Sequence, residues 1–226
     1  MKFRVICSDP PYMFSDRLTM SETKRGAASI YSTLSIEDLK VLPVKDIAED
    51  DAVLLLWCPS SLIEDGLEVM KAWGFRQTQT HIWVKTKKFH LQDLLKSIVK
   101  WSKSDNKLVS IDDLLRRFVL EDVLAFGMGR LFRQTHELVL IGVRGKVYSH
   151  LVNKSQRSVH FFPATKHSVK PDSLQDMLEK MFPGEEHHKI ELFARRDKTG
   201  WTCVGNESPS TPGEDIRVSI DRLKNT

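Results

Sequence analysis

The sequence predicts an α/β fold with a mostly parallel sheet and a helical insert, on three observations. Strand-like and helix-like runs alternate along the 226 residues, several of the strand-like runs are apolar without a break, and a rigid turn motif closes the first of them. The first run is Phe3 to Cys7, β-branched and aromatic, and it stops at Asp9-Pro10-Pro11 because neither proline can donate to a sheet ladder. Residues Ser15 to Ser29 are polar and aperiodic, and a loop of that length is ordinarily functional. Ser35 to Asp38 is a capping-box pattern that opens a short helix, after which Ala52 to Trp57 forms a continuous apolar run closed by Pro59. Leu62, Leu67, Val69, Met70 and Trp73 make a helical stripe that ends at Gly74, a C-cap position, and Thr78 to Val84 returns to strand character.

Two helices then interrupt the alternation. Leu91, Leu94, Leu95, Ile98 and Val99 repeat at helical spacing, and Ile111, Leu114, Leu115, Phe118 and Val119 do the same behind a cap at Ser110 and Asp113. Glu137 to Val143 resumes a strand, Pro171 opens a helix to Phe182, and Lys189 to Ala194 is a further strand before Gly200-Trp201. This organisation gives one domain over residues 1–207 with an insert at 88–124, and a Ser/Pro/Gly linker with a short tail over 208–226. Ligands of such sheets bind beyond the carboxyl ends of the strands, and Asp9 to Tyr12 falls at such an end.

Composition narrows the function. A 41% hydrophobic and 28% charged chain buries a full core, which excludes disordered and fibrous classes. No run approaches the ~18 apolar residues of a membrane span, and Met1 to Arg4 leads into a strand rather than a signal peptide, so a cytoplasmic protein without a membrane partner is expected. Cys7, Cys58 and Cys203 are far apart and unpaired in any metal-binding spacing, so they read as reduced thiols. His187-His188, after Glu185-Glu186, has the look of a surface turn, and no metal is expected. Trp57, Trp73, Trp83 and Trp201 adjoin apolar runs and read as core. The formal net charge of +4 suits a polyanionic partner, and its location is more telling: residues 85–117 hold nine Lys or Arg against four Asp.

Asp9-Pro10-Pro11-Tyr12 carries the chemistry. An amino group on an aromatic ring is a poor nucleophile because its lone pair is delocalised, and hydrogen-bond acceptors that hold its protons turn that pair toward an electrophile. The Asp9 carboxylate can accept a hydrogen bond from one N–H, the diproline can aim a backbone carbonyl at the other with no nearby N–H to compete, and Tyr12 can stack on the ring.

The chain resembles the MT-A-seventy family of adenine-amino methyltransferases. The resemblance runs in order through Asp9 to Tyr12, Tyr31 to Leu34, Leu55 to Trp57, Ala72 to Phe75, Trp83 to Lys85, His136-Glu137, Gly142 to Gly145, His167 to Pro171, Ile190 to Arg195, Gly200-Trp201 and Gly205 to Glu207. It implies a permuted Rossmann-like methyltransferase that uses S-adenosylmethionine, with the catalytic motif first and the cofactor-binding strand late. On that likeness Asp9 also neighbours the methionine end of the cofactor, Lys170 meets its carboxylate, and Arg195, Asn206 and Glu207 bind its ribose region. Glu191 and Phe193 share the cofactor strand, and Tyr31 lies on a loop over the active site. His136 and Glu137 read as positioning strand and loop. Two departures stand out. Only eight residues precede Asp9, where a eukaryotic relative has residues that hold the cofactor's adenine, and Arg196-Asp197 replace that relative's proline and histidine.

The absence of a Gly-x-Gly-x-x-Gly weighs against a nicotinamide enzyme. DNA is the expected substrate, of prokaryotic or phage type, with RNA as the alternative and a non-catalytic nucleic-acid-binding subunit as another. The basic insert is the expected target-recognition element, with Lys96, Lys100, Lys103, Arg116 and Arg117 as phosphate contacts.

Overall fold

A computed structural model of the chain describes residues 1–13, 33–88, 96, 123–125, 127, 131–164, 169–184 and 188–226. Among them run strands β1 (Phe3–Ser8), β2 (Ala48–Cys58), β3 (Arg76–Thr86), β4 (His136–Arg144), β5 (Val159–Pro163), β6 (Lys189–Leu192) and β7 (Thr202–Val204). The helices are α1 (Ile36–Lys40), α2 (Val44–Ile47), α3 (Ile63–Ala72), α4 (Ser173–Met181) and α5 (Ile216–Lys224). The strands form one sheet in the order β5-β3-β4-β2-β1-β6-β7. β1 pairs in parallel with β2 and β6, β6 with β7, and β3 with β5, while β2 and β4 are antiparallel. The Rossmann-like α/β reading of the sequence therefore holds. The chain also divides into two compact units: Met1–His81 with Leu138–Gln156 and Leu174–Thr226, and Ile82–Glu137 with Arg157–Ser173.

The first unit holds the central strands. Its β1 is buried on both faces, as expected of a strand between two parallel neighbours, and Phe3, Val5 and Ile6 are fully buried. Leu54 and Leu56 of β2, with Val69, Met70 and Trp73 from the α3 segment, complete the core around it. The Trp73 indole is buried because its N–H donates to the Leu39 carbonyl at 2.7 Å. All four tryptophans read as core are buried.

Capping follows the sequence closely. The Ser35 hydroxyl accepts from the Asp38 N–H at 3.1 Å at the start of α1. At the end of α3, Gly74 adopts φ +83°, which releases two N–H groups back to the helix: Gly74 to the Lys71 carbonyl at 3.0 Å and Phe75 to the Met70 carbonyl at 3.1 Å.

Some elements differ from expectation. The strand that begins at Lys189 stops at Leu192, because Phe193 turns to φ 61°. β5 and β7 were not legible at all. The stretch read as linker and tail contains α5, with Asp215 capping it and Ile216, Ile220 and Leu223 buried in the core. The insert helices expected around Leu91 to Val99 and Ile111 to Val119 lie outside the described residues, apart from Lys96, which is helical and exposed. His187 also lies outside them. No helix among the described residues is long and apolar enough to cross a membrane. The three cysteines are free and buried, and no metal-binding cluster occurs among the described residues.

One charged group is built into this core. Lys189, at the start of β6, is fully buried, and its ammonium pairs with Glu179 of α4 at 2.6 Å. The other Glu179 oxygen accepts from the Trp201 indole N–H at 2.6 Å, so one carboxylate ties α4 to β6 and to the residue before β7.

Candidate functional site

Because β1, β6 and β7 are parallel, their carboxyl ends share one edge of the sheet. The chain leaves β1 toward β2 on one side, while β6 and β7 lie on the other, so the strand order reverses at β1. Ligands bind at such reversals because the loops diverge and leave a crevice. A cleft of about 200 Å³ opens there, lined by Asp9 and Pro11 after β1, Phe193, Ala194 and Arg195 after β6, and Asn206 and Glu207 after β7. Leu34, Gly213, Asp215 and Ile216 complete it.

Backbone contacts fix this edge. The Asp9 N–H reaches the Leu192 carbonyl at 3.4 Å and the Ala194 N–H donates to the Val204 carbonyl at 3.0 Å, so the three loops are held together. Gly205 shows how closely they approach. A Cβ on it would meet the Ala194 nitrogen at 2.9 Å and the Phe193 Cα at 2.9 Å, so only glycine fits. The positive φ of Phe193 is strain of the kind that persists only where surroundings enforce it, and it occurs on the cleft wall.

Three carboxylates, Asp9, Glu207 and Asp215, line the cleft against one cation, Arg195. The Arg195 Nε lies 3.7 Å from Glu207 Oε1. A cleft of that balance favours a cationic ligand. Burial holds the Cys58 and Cys203 thiols up at about 11 and the Cys7 thiol well above its ordinary value, so thiolate chemistry has no source here.

Six residues expected at the site are thus brought together: Asp9, Pro11, Phe193, Arg195, Asn206 and Glu207. The other expected residues that are described do not line the cleft. Pro10 is buried. Glu191 accepts from Gln175 at 2.9 Å and does not line the cleft. Tyr12 is only 4% exposed, packs in the core, and also lies outside the cleft lining. Burial is the main cause of its strongly raised phenol pKa, with Cys58 and Asp9 adding to it. Tyr31, Lys100, Lys103, Arg116 and Arg117 lie outside the described residues.

One expectation needs correcting. The diproline carbonyls do have N–H competitors: Tyr12 N–H donates to the Pro10 carbonyl and Leu34 N–H to the Pro11 carbonyl, both at 2.9 Å. The Pro10 bond is a local turn closed by the residue two places on, and the Pro11 bond arises because residues Pro11 to Met13 pair with Leu34, through the Tyr12–Leu34 bridge and the Met13 N–H bond to the Leu34 carbonyl. Each carbonyl keeps a second lone pair, so the acceptor role survives with one site in place of two.

Leu34, Ala194, Gly213, Asp215 and Ile216 were missed. The signal for the last two was present, since Ile216, Ile220 and Leu223 repeat at i, i+4 and i+7 behind an Asp at the cap position.

In the second unit, Lys170 is half-buried and pairs with Glu137 at 2.9 Å. Glu137 also pairs with Lys85 at 2.5 Å, and Lys85 lies over the Trp83 ring at 5.1 Å. Burial works against the Glu137 charge, but Lys170 and Lys85 together outweigh it and hold the carboxyl below its usual 4.5. A lowered folded pKa stabilises above the unfolded value and loses that contribution as pH falls through the folded one. Glu137→Gln is therefore expected to flatten the loss of thermal stability below about pH 4.5, read from melting curves at stepped pH; an unchanged acid limb contradicts the assignment. Two strand-end contacts, Lys87 N–H to the Val123 carbonyl and Ala125 N–H to the Lys85 carbonyl, both at 2.8 Å, bring the two ends of the insert to one point.

A Rossmann-like α/β sheet with an acidic cleft at its switch point defines a fold class with a place for a ligand, and comparison with known proteins narrows it. The MT-A70 family model matches residues 3–109 and 117–207. The Type II methyltransferase M.MunI of Mycoplasma sp is 25% identical over 223 residues, covering 92% of this chain and 78% of that protein. The putative N(6)-adenosine-methyltransferase MT-A70-like of Medicago truncatula is 26% identical over 209 residues, and the N(6)-adenosine-methyltransferase catalytic subunit METTL3 of Homo sapiens 25% over 209. Both matches cover 91% of this chain but only 26% and 28% of those longer proteins. The chain belongs to the MT-A70 family of methyltransferases.

Proposed function

We propose that this chain transfers a methyl group from S-adenosylmethionine to the exocyclic amino nitrogen, N6, of adenine in DNA. The observation that carries the reading is that Asp9 and Pro11 face the same cleft as Phe193, Arg195, Asn206 and Glu207. The residues present suit that cofactor. Three carboxylates against one arginine favour its cationic sulfonium and ammonium groups, and Asn206 with Glu207 offers acceptors to a ribose diol. When bound, the cofactor supplies an electrophilic methyl group.

The chain's own residues prepare the nucleophile. Asp9 accepts a hydrogen bond from one amino N–H, and a diproline carbonyl, through its remaining lone pair, accepts one from the other. Both hydrogen bonds strengthen as positive charge develops on nitrogen, so they act on the transition state more than on the ground state. As the N–C bond forms and the S–C bond breaks with release of the thioether, the Asp9 carboxylate takes up the proton that the methylated nitrogen sheds. In this reading Lys170 meets the cofactor carboxylate and Glu137 keeps it oriented. Tyr12 stacks on the adenine only if its ring leaves the core. The insert at 88–124 contacts the nucleic-acid backbone through Lys96, Lys100, Lys103, Arg116 and Arg117.

DNA is favoured over RNA because the match extends over 78% of a type II methyltransferase and about a quarter of the N(6)-adenosine methyltransferases. Incubation with methyl-labelled cofactor and matched DNA and RNA, followed by digestion to nucleosides, tests both points. The expected product is labelled N6-methyldeoxyadenosine. Label in RNA alone would move the substrate, and label in neither would remove the activity.

A further inference from the structure

The positive charge of the chain belongs to its second unit. Segments 82–137 and 157–173 hold 14 Lys or Arg against 8 Asp or Glu, whereas the rest of the chain holds 20 against 22. In the same unit β5 leaves apolar side chains open to solvent. Val159, Phe161 and Phe162 are all exposed, Phe161 by 60%, the most of any strand aromatic among the described residues. We propose that β5 is a stacking platform for unpaired nucleic-acid bases, with Phe161 carrying a base and the cations at the two ends of the strand holding the flanking phosphates. The proposal rests on the nucleic-acid reading above and not on the methyl transfer.

The backbone beneath Phe161 is pinned. β5 is the outer strand of the sheet and its neighbour is β3, with Val84 registered against Phe161 and Lys85 against Phe162. The Trp83 ring is buried, and its indole N–H donates to the Phe162 carbonyl at 3.0 Å. Alternate side chains of a strand point to opposite faces, so Phe161 shares one face with Val159 and Val84, and Phe162 shares the other with Lys85 and Trp83. A ring fixed in this way accepts any base, because every base has a π-face.

Charge selects the occupant. Arg157 is exposed just before β5, and Lys87 and Lys88 are exposed just after β3, whose Thr86 is registered with Pro163. The strand between those ends spans about 20 Å. Cations on either side of exposed rings suit a polyanion whose bases are turned outward. A duplex keeps its bases stacked inside and gives Phe161 no partner. A second copy of this chain, the usual hazard of an open sheet edge, would bring two basic units together, and Pro163 has no N–H to offer it.

Fluorescence anisotropy of a labelled mixed-sequence DNA strand, alone and annealed to its complement, tests this on the whole chain. Phe161→Ala is expected to weaken binding of the single strand by at least about fivefold, and to leave the duplex, held through its phosphates, within about twofold. Phe161→Tyr keeps the ring and should bind the single strand as the wild type does. Phe161→Leu keeps apolar area without a ring and should fall with Phe161→Ala. An unchanged single-strand affinity in Phe161→Ala, an equal loss on the duplex, or a Phe161→Leu as good as Phe161→Tyr overturns the platform and leaves the nucleic-acid reading standing. A wild-type dimer in sedimentation that Phe161→Ala dissociates gives β5 to a second copy and also overturns it. Failure of the wild type to bind either DNA overturns the nucleic-acid reading together with the platform, a distinct result.

Discussion

Asp9→Ala is expected to lower single-turnover methyl transfer by about 10²- to 10³-fold, the size of effect seen when one preorganised group at a developing charge is removed. Two consequences of the geometry give the figure its meaning. Asp9 is half-buried at a loop, outside the core cluster, so stability should shift by less than about 1 kcal/mol. The residual rate should reflect the carbonyl acceptor and the bound geometry, which the substitution leaves intact. Rapid-quench measurements at saturating cofactor, with a melting curve beside them, separate chemistry from folding. A rate within about threefold of wild type would place the proton acceptor elsewhere.

The second large effect concerns the frame behind the cleft. Glu179→Ala removes the counterion of a fully buried lysine and the acceptor for Trp201, with an expected cost of about 3 to 5 kcal/mol. The cost arises mainly from the orphaned Lys189 charge. The double substitution Glu179→Leu with Lys189→Met should therefore recover at least half of it, since a well-packed apolar pair replaces an ion pair at little loss. Urea unfolding of the wild type and both variants decides this. If the single substitution costs under about 1 kcal/mol, the ion pair does not hold α4 to β6. Because β6 ends at Leu192 and leads directly into Phe193 and Arg195 on the cleft wall, the single variant should also weaken cofactor binding before it unfolds.

Much of this was readable from the residues, for physical reasons that differ by element. β1 was legible because burial on both faces demands unbroken apolar character and two prolines enforce its end. α1 and α3 were legible because their caps are local, needing only Ser35 and Gly74. β5 was not, since most of its residues are exposed and no apolar pattern marks it. β7 has three residues, too few to show a period. α5 was hidden by the Pro209, Pro212 and Gly213 that precede it, although its buried positions recur at helical spacing.

The site divides in the same way. Asp9, Pro11, Arg195 and Asn206 follow strands whose carboxyl ends a parallel topology must bring together, so their convergence was foreseeable. Tyr12 was less so. Its burial depends on Leu34 pairing back against the motif, a contact across more than twenty residues that no local pattern announces. The same pairing occupies one lone pair on the Pro11 carbonyl. Asp215 reaches the cleft from the far end of the chain through contacts at Asn206 and Gly205, which spacing alone does not encode.

Equilibrium titration of the purified chain with S-adenosylmethionine tests the cleft assignment most directly, with Asn206→Trp filling the crevice beside Glu207 as the comparison. One molecule bound per chain, lost on that substitution, is the predicted result. Binding that survives a filled cleft would put the cofactor somewhere else.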